Sequence, residues 1–123
     1  MDKKYYITTP IYYPSAKPHM GHAYSSIIAD FFARLKKIDG FDVHFLTGTD
    51  EHGLKIQRAA EKKGIETSKF CDEISQTFRD LSITLNLTNT DFIRTTELRH
   101  KLSVQSLWKE LVYNIEHSQK SSQ

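Results

Sequence analysis

The chain has 123 residues, 38% hydrophobic and 26% charged, with 17 Lys+Arg against 15 Asp+Glu for a formal charge of +2. That is the composition of one globular domain or part of one, not of a disordered tail, and the charge is too mild to argue for a nucleic-acid partner. No apolar run approaches the roughly 18 residues needed to span a bilayer, no secretory leader pattern follows the N-terminal Met, and the single cysteine, Cys71, excludes an internal disulfide or a multi-cysteine zinc site within this chain. A reducing, cytoplasmic setting is expected.

Residues 4–13 are rich in aromatic and β-branched types and read as a strand whose late Pro10 ends regular pairing. A loop follows at residues 14–18. From Met20 the apolar positions Tyr24, Ile27, Ile28, Phe31, Leu35 and Ile38 recur with helical spacing, and Gly40 closes the helix. Residues 41–47 read as a buried strand, residues 48–53 as the turn after it, and a short helix then runs to about Lys63 with Gly64 just past its end. Thr67 is the expected cap of the next helix, whose apolar face is Phe70, Ile74, Phe78, Leu81 and Leu85. After a polar turn at residues 86–91 comes a short apolar piece, Phe92 and Ile93; Thr95 or Thr96 then caps a last helix with Leu98, Leu102, Leu107, Trp108, Leu111 and Ile115 facing inward. Residues 1–116 form one folded unit on this reading, and residues 117–123 a polar, disordered tail.

Strand, helix, strand, helix predicts an α/β fold: a Rossmann-like parallel βαβ half domain followed by helices. Two strands are too few for a parallel sheet, which is normally wider and covered on both faces, so the domain is expected to be incomplete.

In such a fold ligands bind beyond the carboxyl ends of the strands, where the loop into the first helix carries His19 and His22. A helix N-terminus offers free N–H groups and partial positive charge to a phosphate. Two imidazoles three apart can both donate to one anion, and Gly21 leaves room for a flat ring such as adenine. Such a site stabilises charge on a phosphoryl group under attack without a protein nucleophile. The competing readings are a solvated pair or a zinc site completed by His44, His52 or Cys71; no His-Glu-x-x-His spacing supports the metal, and none is expected.

Pro18, His19, Met20, Gly21 and His22 resemble the HIGH motif of class I aminoacyl-tRNA synthetases, with Met at its second position. Residues 7–13, 45–53 and 91–100 are similar to the methionine-specific branch, the methionyl-tRNA synthetases, and the likeness runs over about residues 4–112. The resemblance implies that His19, Gly21 and His22 bind ATP and that the two histidines stabilise the transition state of amino-acid activation. It also implies that Asp50 holds the ammonium of methionine, with Pro10, Ile11 and Tyr13 lining its slot, where an aromatic ring suits a thioether. Without the resemblance Asp50 has a second reading as a helix N-cap, Tyr13 one as core, and Glu51 and His52 one as structural.

The implied function is that of a methionine–tRNA ligase: ATP, bringing Mg2+, activates methionine to methionyl-adenylate, and the methionyl group passes to tRNA(Met), which would be bound through C-terminal regions beyond these blocks. The family's Lys-Met-Ser-Lys-Ser motif does not occur, its cysteine-bearing knob is missing, and after about Asn114 the likeness ends. The expected product is therefore a fragment with little activity alone: an inactive remnant or one half of a split enzyme that needs the other half. A small His-x-Gly-His nucleotidyltransferase is the rival within enzymes, and residues 48–53 argue against it.

Overall fold

A computed structural model describes residues 3–120, with side chains to residue 115. Seven elements follow one another: β1 (Lys4–Thr8), α1 (Met20–Ile38), β2 (Asp42–Thr49), α2 (Leu54–Lys63), α3 (Thr67–Thr84), β3 (Asp91–Arg94) and α4 (Leu98–Lys120). The sheet is wholly parallel in the order β1-β2-β3, with Lys4 opposite Asp42 and Leu46 opposite Asp91. The α/β expectation therefore holds, with one correction. The piece around Phe92 and Ile93 is a third strand; four residues are too few for periodicity to reveal it, and only the β2 ladder defines it.

The strands alternate. Val43 and Phe45 of β2 meet Ala29 and Ala33 of α1 in one core cluster, while Phe92 of β3 meets Phe70, Ile74 and Phe78 of α3 in another. These helices thus lie on one face of the sheet. The opposite face carries Tyr6, 62% exposed, stacked on His44 at 5.5 Å. Among the described residues no helix packs on that face, as fits part of a larger parallel sheet.

Two helices leave their bulky apolar stripes exposed. The bulky stripe of α1 does not face the core: Met20 and Ile38 are each 83% exposed, and Tyr24, Ile27, Ile28, Phe31 and Leu35 are exposed too. The buried stripe is Ala23, Ser26, Ala29, Asp30 and Ala33. Small side chains let the helix approach the strands closely, and the polar members are anchored: Asp30 accepts from the Thr88 amide (2.6 Å) and hydroxyl (2.7 Å) and from Arg34. Periodicity picks out the larger of two stripes; contact with this sheet uses the smaller. In α4 the residues expected inward, Leu98, Leu102, Leu107, Trp108, Leu111 and Ile115, are all exposed, because an amphipathic face needs a partner and no described element covers it. The helix also continues through residues 117–120, so its backbone shows no boundary at residue 116; residues 121–123 of the expected tail lie outside the described residues.

The helix ends explain the remaining offsets. Gly64 closes α2 with φ 66, as its position suggested. Glu66, not Thr67, precedes α3, and Thr67 is its first helical residue. Thr95 and Thr96 do not cap α4; both are committed to Glu51.

Candidate active site

The chain leaves β1 at Thr8 and returns beside β2: the Tyr12 amide donates to the Gly48 carbonyl at 2.9 Å and the Asp50 amide to the Tyr12 carbonyl at 2.7 Å. This bridge holds residues 10–13 against the carboxyl end of β2, so two of the predicted groups of residues, the loop after β1 and Asp50, do come together.

At the start of α1 the two histidines cap the helix reciprocally. His19 is the N-cap residue, in extended conformation (φ -133, ψ 178). Its Nδ1 accepts the Gly21 amide at 3.0 Å, and His22 Nδ1 accepts the His19 amide at 3.1 Å. This is a capping box built from imidazoles in place of the usual hydroxyl and carboxylate. An Nδ1 that accepts cannot carry a proton, so each neutral ring bears its N–H at Nε2. The ring centroids lie 3.9 Å apart. The result is two adjacent Nε2–H donors, beside a helix N-terminus whose own N–H groups and dipole favour an anion.

His22 is held by neighbours that the sequence reading gave no role in the site. Tyr12, only 3% exposed, meets its ring edge-on at 5.2 Å, and Phe78 does so at 5.0 Å, with Tyr12 and Phe78 stacked on one another. The Tyr12 hydroxyl bonds Ser26, which in turn donates to the His22 carbonyl at 2.7 Å. Burial first, and the adjacent His19 second, push the His22 imidazole below its ordinary pKa, so it is held neutral. Of the adjacent tyrosines the resemblance singled out Tyr13; alternation along an extended segment puts Tyr12 on the opposite side, towards the core.

Gly21 has a local reason of its own. A Cβ there would stand 2.9 Å from the His19 ring, so any side chain would push that ring off the Gly21 amide. Gly48 is needed for strand contact, since a Cβ would lie 1.9 Å from the Ile93 carbonyl oxygen.

The Asp50 carboxylate makes no hydrogen bond or ion pair among the described residues, although its neighbours are heavily bonded. It does not cap α2 either; Gly53 occupies that position. Tyr13 is half-buried and places its hydroxyl over Gly53, where a Cβ would be 2.3 Å away. Ile11, 47% exposed, lines a cavity of about 200 Å3 with Thr8, Thr9, Leu46, Thr47, Gly48 and Ile93. Pro10 is exposed, and neither it nor Tyr13 nor Asp50 lines that cavity.

Glu51, beside Asp50, is the buried electrostatic anchor. Its side chain is 0% exposed and accepts from Arg94 Nε at 2.6 Å, Thr49 Oγ1 at 2.9 Å and the Thr96 hydroxyl. Arg94 also reaches Asp72 at 2.6 Å. The Arg94 guanidinium is held charged, first by its bond to Glu51. Glu51 is thus structural through Arg94 and the threonines, not through the dipole of α2, whose first turn begins at Leu54 and holds no acid. Cys71 is buried close by, its thiol pushed up by burial and then by Glu51. Among the described residues no group of three His, Cys, Asp or Glu side chains could hold a metal ion, and no helix is long and apolar enough to cross a membrane.

Comparison with known proteins decides the family. The model for tRNA synthetases class I (M) matches residues 5–123. The chain belongs to that family. The match also runs on through the residues after Asn114, where the sequence reading had ended the likeness. Similar class I synthetases include the mitochondrial methionine–tRNA ligase of Takifugu rubripes, 56% identical over 110 residues, which covers 89% of this chain and 19% of that protein. The methionine–tRNA ligase of Rickettsia conorii is 53% identical over 114 residues, 93% of this chain and 22% of that one. Among solved structures, Mycobacterium tuberculosis methionyl-tRNA synthetase in complex with methionyl-adenylate superposes with a TM-score of 0.88 at 45% identity, over 90% of this chain and 22% of that one. The chain therefore spans about a fifth of the length of these synthetases.

Proposed function

We propose that this chain supplies the HIGH-motif half of a methionine–tRNA ligase active site. The observation that carries this reading is the pair of Nε2–H donors on His19 and His22, in a chain whose relatives are methionine–tRNA ligases. On this reading His19, Gly21 and His22 receive the phosphates of ATP, which arrives with its own Mg2+; no zinc belongs to this part. The histidines stabilise the charge that grows on the α-phosphate as the methionine carboxylate attacks and pyrophosphate leaves, an effect of positioning and fixed dipoles. A neutral His22 suits this role because it donates a hydrogen bond without surrendering a proton. The unpartnered Asp50 carboxylate takes the substrate ammonium, with Pro10, Ile11 and Tyr13 beside the methionine side chain. Transfer of the methionyl group to tRNA(Met) completes the reaction, which on this reading takes place in the cytoplasm.

A Lys-Met-Ser-Lys-Ser motif does not occur within these 123 residues; on this reading they hold one half of the phosphate site, and activation needs the other half joined to them or supplied as a complementary polypeptide. Methionine-dependent ATP–pyrophosphate exchange tests this. The chain alone should turn over barely; adding a polypeptide that spans the rest of a related ligase should restore exchange, and His22→Ala should then abolish most of it. Robust exchange by the chain alone would overturn the half-site reading. Failure of complementation would favour a remnant that keeps the motif without using it.

A further inference from the structure

We propose that Thr95 is a positioning residue for the Asp50 carboxylate: it holds the backbone on both sides of Asp50, so that the side chain meets its ligand already oriented. The inference rests on the function proposed above, in which Asp50 takes the ammonium of methionine.

Asp50 lies one residue past the end of β2, where a chain is ordinarily released from its sheet. It is not released here. On one side the Asp50 amide donates to the Tyr12 carbonyl at 2.7 Å. On the other, the Thr95 amide donates to the Thr49 carbonyl at 3.2 Å, and the Glu51 amide donates to the Thr95 hydroxyl at 2.8 Å. The Thr95 carbonyl accepts in turn from His52 Nε2, 3.3 Å away, when that nitrogen carries the ring proton. The amides of Asp50 and Glu51 thus point to opposite sides, as successive amides of an extended chain do.

The hydroxyl replaces a missing ladder partner. β3 ends at Arg94 and the chain turns away towards α4, so no strand carbonyl is left for the Glu51 amide. Thr95 and Glu51 are only 7% and 4% exposed, so without that hydroxyl the amide would be buried and unpaired, which is costly. Asp50 itself is half-buried, and its carboxylate has no partner among the described residues, although the backbone groups that frame it are bonded. A fixed backbone beneath a free carboxylate suits a group that meets an external cation without reorganising. Thr90 makes the same hydroxyl-to-amide bond, to Phe45 at 3.0 Å, at the opposite end of the β2–β3 ladder. It supplies the control for a purely structural role.

The test is methionine-dependent ATP–pyrophosphate exchange by the 123-residue chain complemented with a polypeptide that spans the rest of a related ligase. Thr95→Val keeps the shape but removes the acceptor; it should raise KM for methionine by roughly 10- to 100-fold, the scale of a displaced binding group, while KM for ATP holds. Thr95→Ser restores the acceptor and should return KM for methionine to near that of the unaltered complex. Thr90→Val loses the same kind of bond away from Asp50 and should leave both KM values unchanged. Should Thr95→Val lose its circular-dichroism spectrum, Thr95→Ala and Thr95→Ser, which differ by the one hydroxyl, carry the comparison. In the chain alone, hydrogen exchange at the Glu51 amide should be slow and should speed up in Thr95→Val. Equal KM for methionine in Thr95→Val and Thr90→Val, an equal rise in KM for methionine and ATP, no rescue by serine, or a fast Glu51 amide in the unaltered chain would each overturn the positioning role and leave the ligase reading intact. No exchange in the unaltered complex overturns the ligase reading, and this inference with it.

Discussion

Tyr12 joins the two halves of the site: its carbonyl oxygen accepts the Asp50 amide at 2.7 Å, while its ring stands edge-on to His22 at 5.2 Å. A residue assigned neither chemistry thus sets the spacing between the Asp50 segment and the histidine pair.

Removing that ring should cost more than removing its hydroxyl. Tyr12→Ala empties a fully packed position between Phe78 and His22 and is expected to destabilise by about 3 to 5 kcal/mol. Tyr12→Phe keeps the stack, and Ser26 can still donate to the His22 carbonyl, so the loss should be about 1 kcal/mol. Urea denaturation midpoints of the variants decide it; equal midpoints would mean that Tyr12 is not a core residue.

His22 makes stability depend on pH in a defined direction. Its pKa in the folded chain is depressed by burial, and second by His19, so the unfolded state takes up a proton more readily. Stability is therefore whole above the ordinary histidine value near about 6.5 and is lost as pH falls below it. Protonation at Nδ1 would also break the cap on the His19 amide. His22→Gln should flatten the decline in melting temperature between about pH 7.5 and 5.5; an unchanged slope would assign the decline to other groups.

The fully buried Glu51 and the partly buried Arg94 form a pair whose partners are interdependent. Glu51→Ala removes the buried acceptor shared by Arg94 Nε and the Thr49 and Thr96 hydroxyls and leaves Arg94 to Asp72 alone, and a loss of about 3 kcal/mol is expected. Glu51→Leu with Arg94→Met should recover much of it, since two apolar side chains replace two desolvated charges. Additive losses in that double-mutant cycle would show that the pair is not coupled.

How much of this was legible depended on the kind of signal. The histidine pair, the strand-to-helix junction and Gly64 announce themselves locally, through spacing and caps. The third strand did not, because Asp91–Arg94 exists only as a partner of β2. The burial of α1 is not legible from spacing because a helix with a large apolar stripe and a small one gives its periodicity to the large one, and which stripe meets the sheet depends on how closely the backbones approach. The roles of Tyr12, Phe78 and Ser26 around His22 depend on contacts between distant segments that no spacing rule reaches. The Tyr12 signal was in principle available: in an extended run only one of two adjacent tyrosines can point inward.

Asp50→Asn separates a binding carboxylate from a structural one. Because the half-buried Asp50 side chain bonds nothing among the described residues and Gly53 occupies the cap of α2, the near-isosteric substitution should leave the stability within about 0.5 kcal/mol. If the carboxylate pairs with the methionine ammonium, the complemented enzyme should lose a charge-assisted hydrogen bond, about 1.5 to 3 kcal/mol, or roughly 10- to 150-fold in kcat/KM for methionine. The loss should appear in KM for methionine while KM for ATP holds, because the histidine pair is untouched. A loss confined to stability would return Asp50 to a structural role, and a loss shared equally between methionine and ATP would mean that it shapes the whole site.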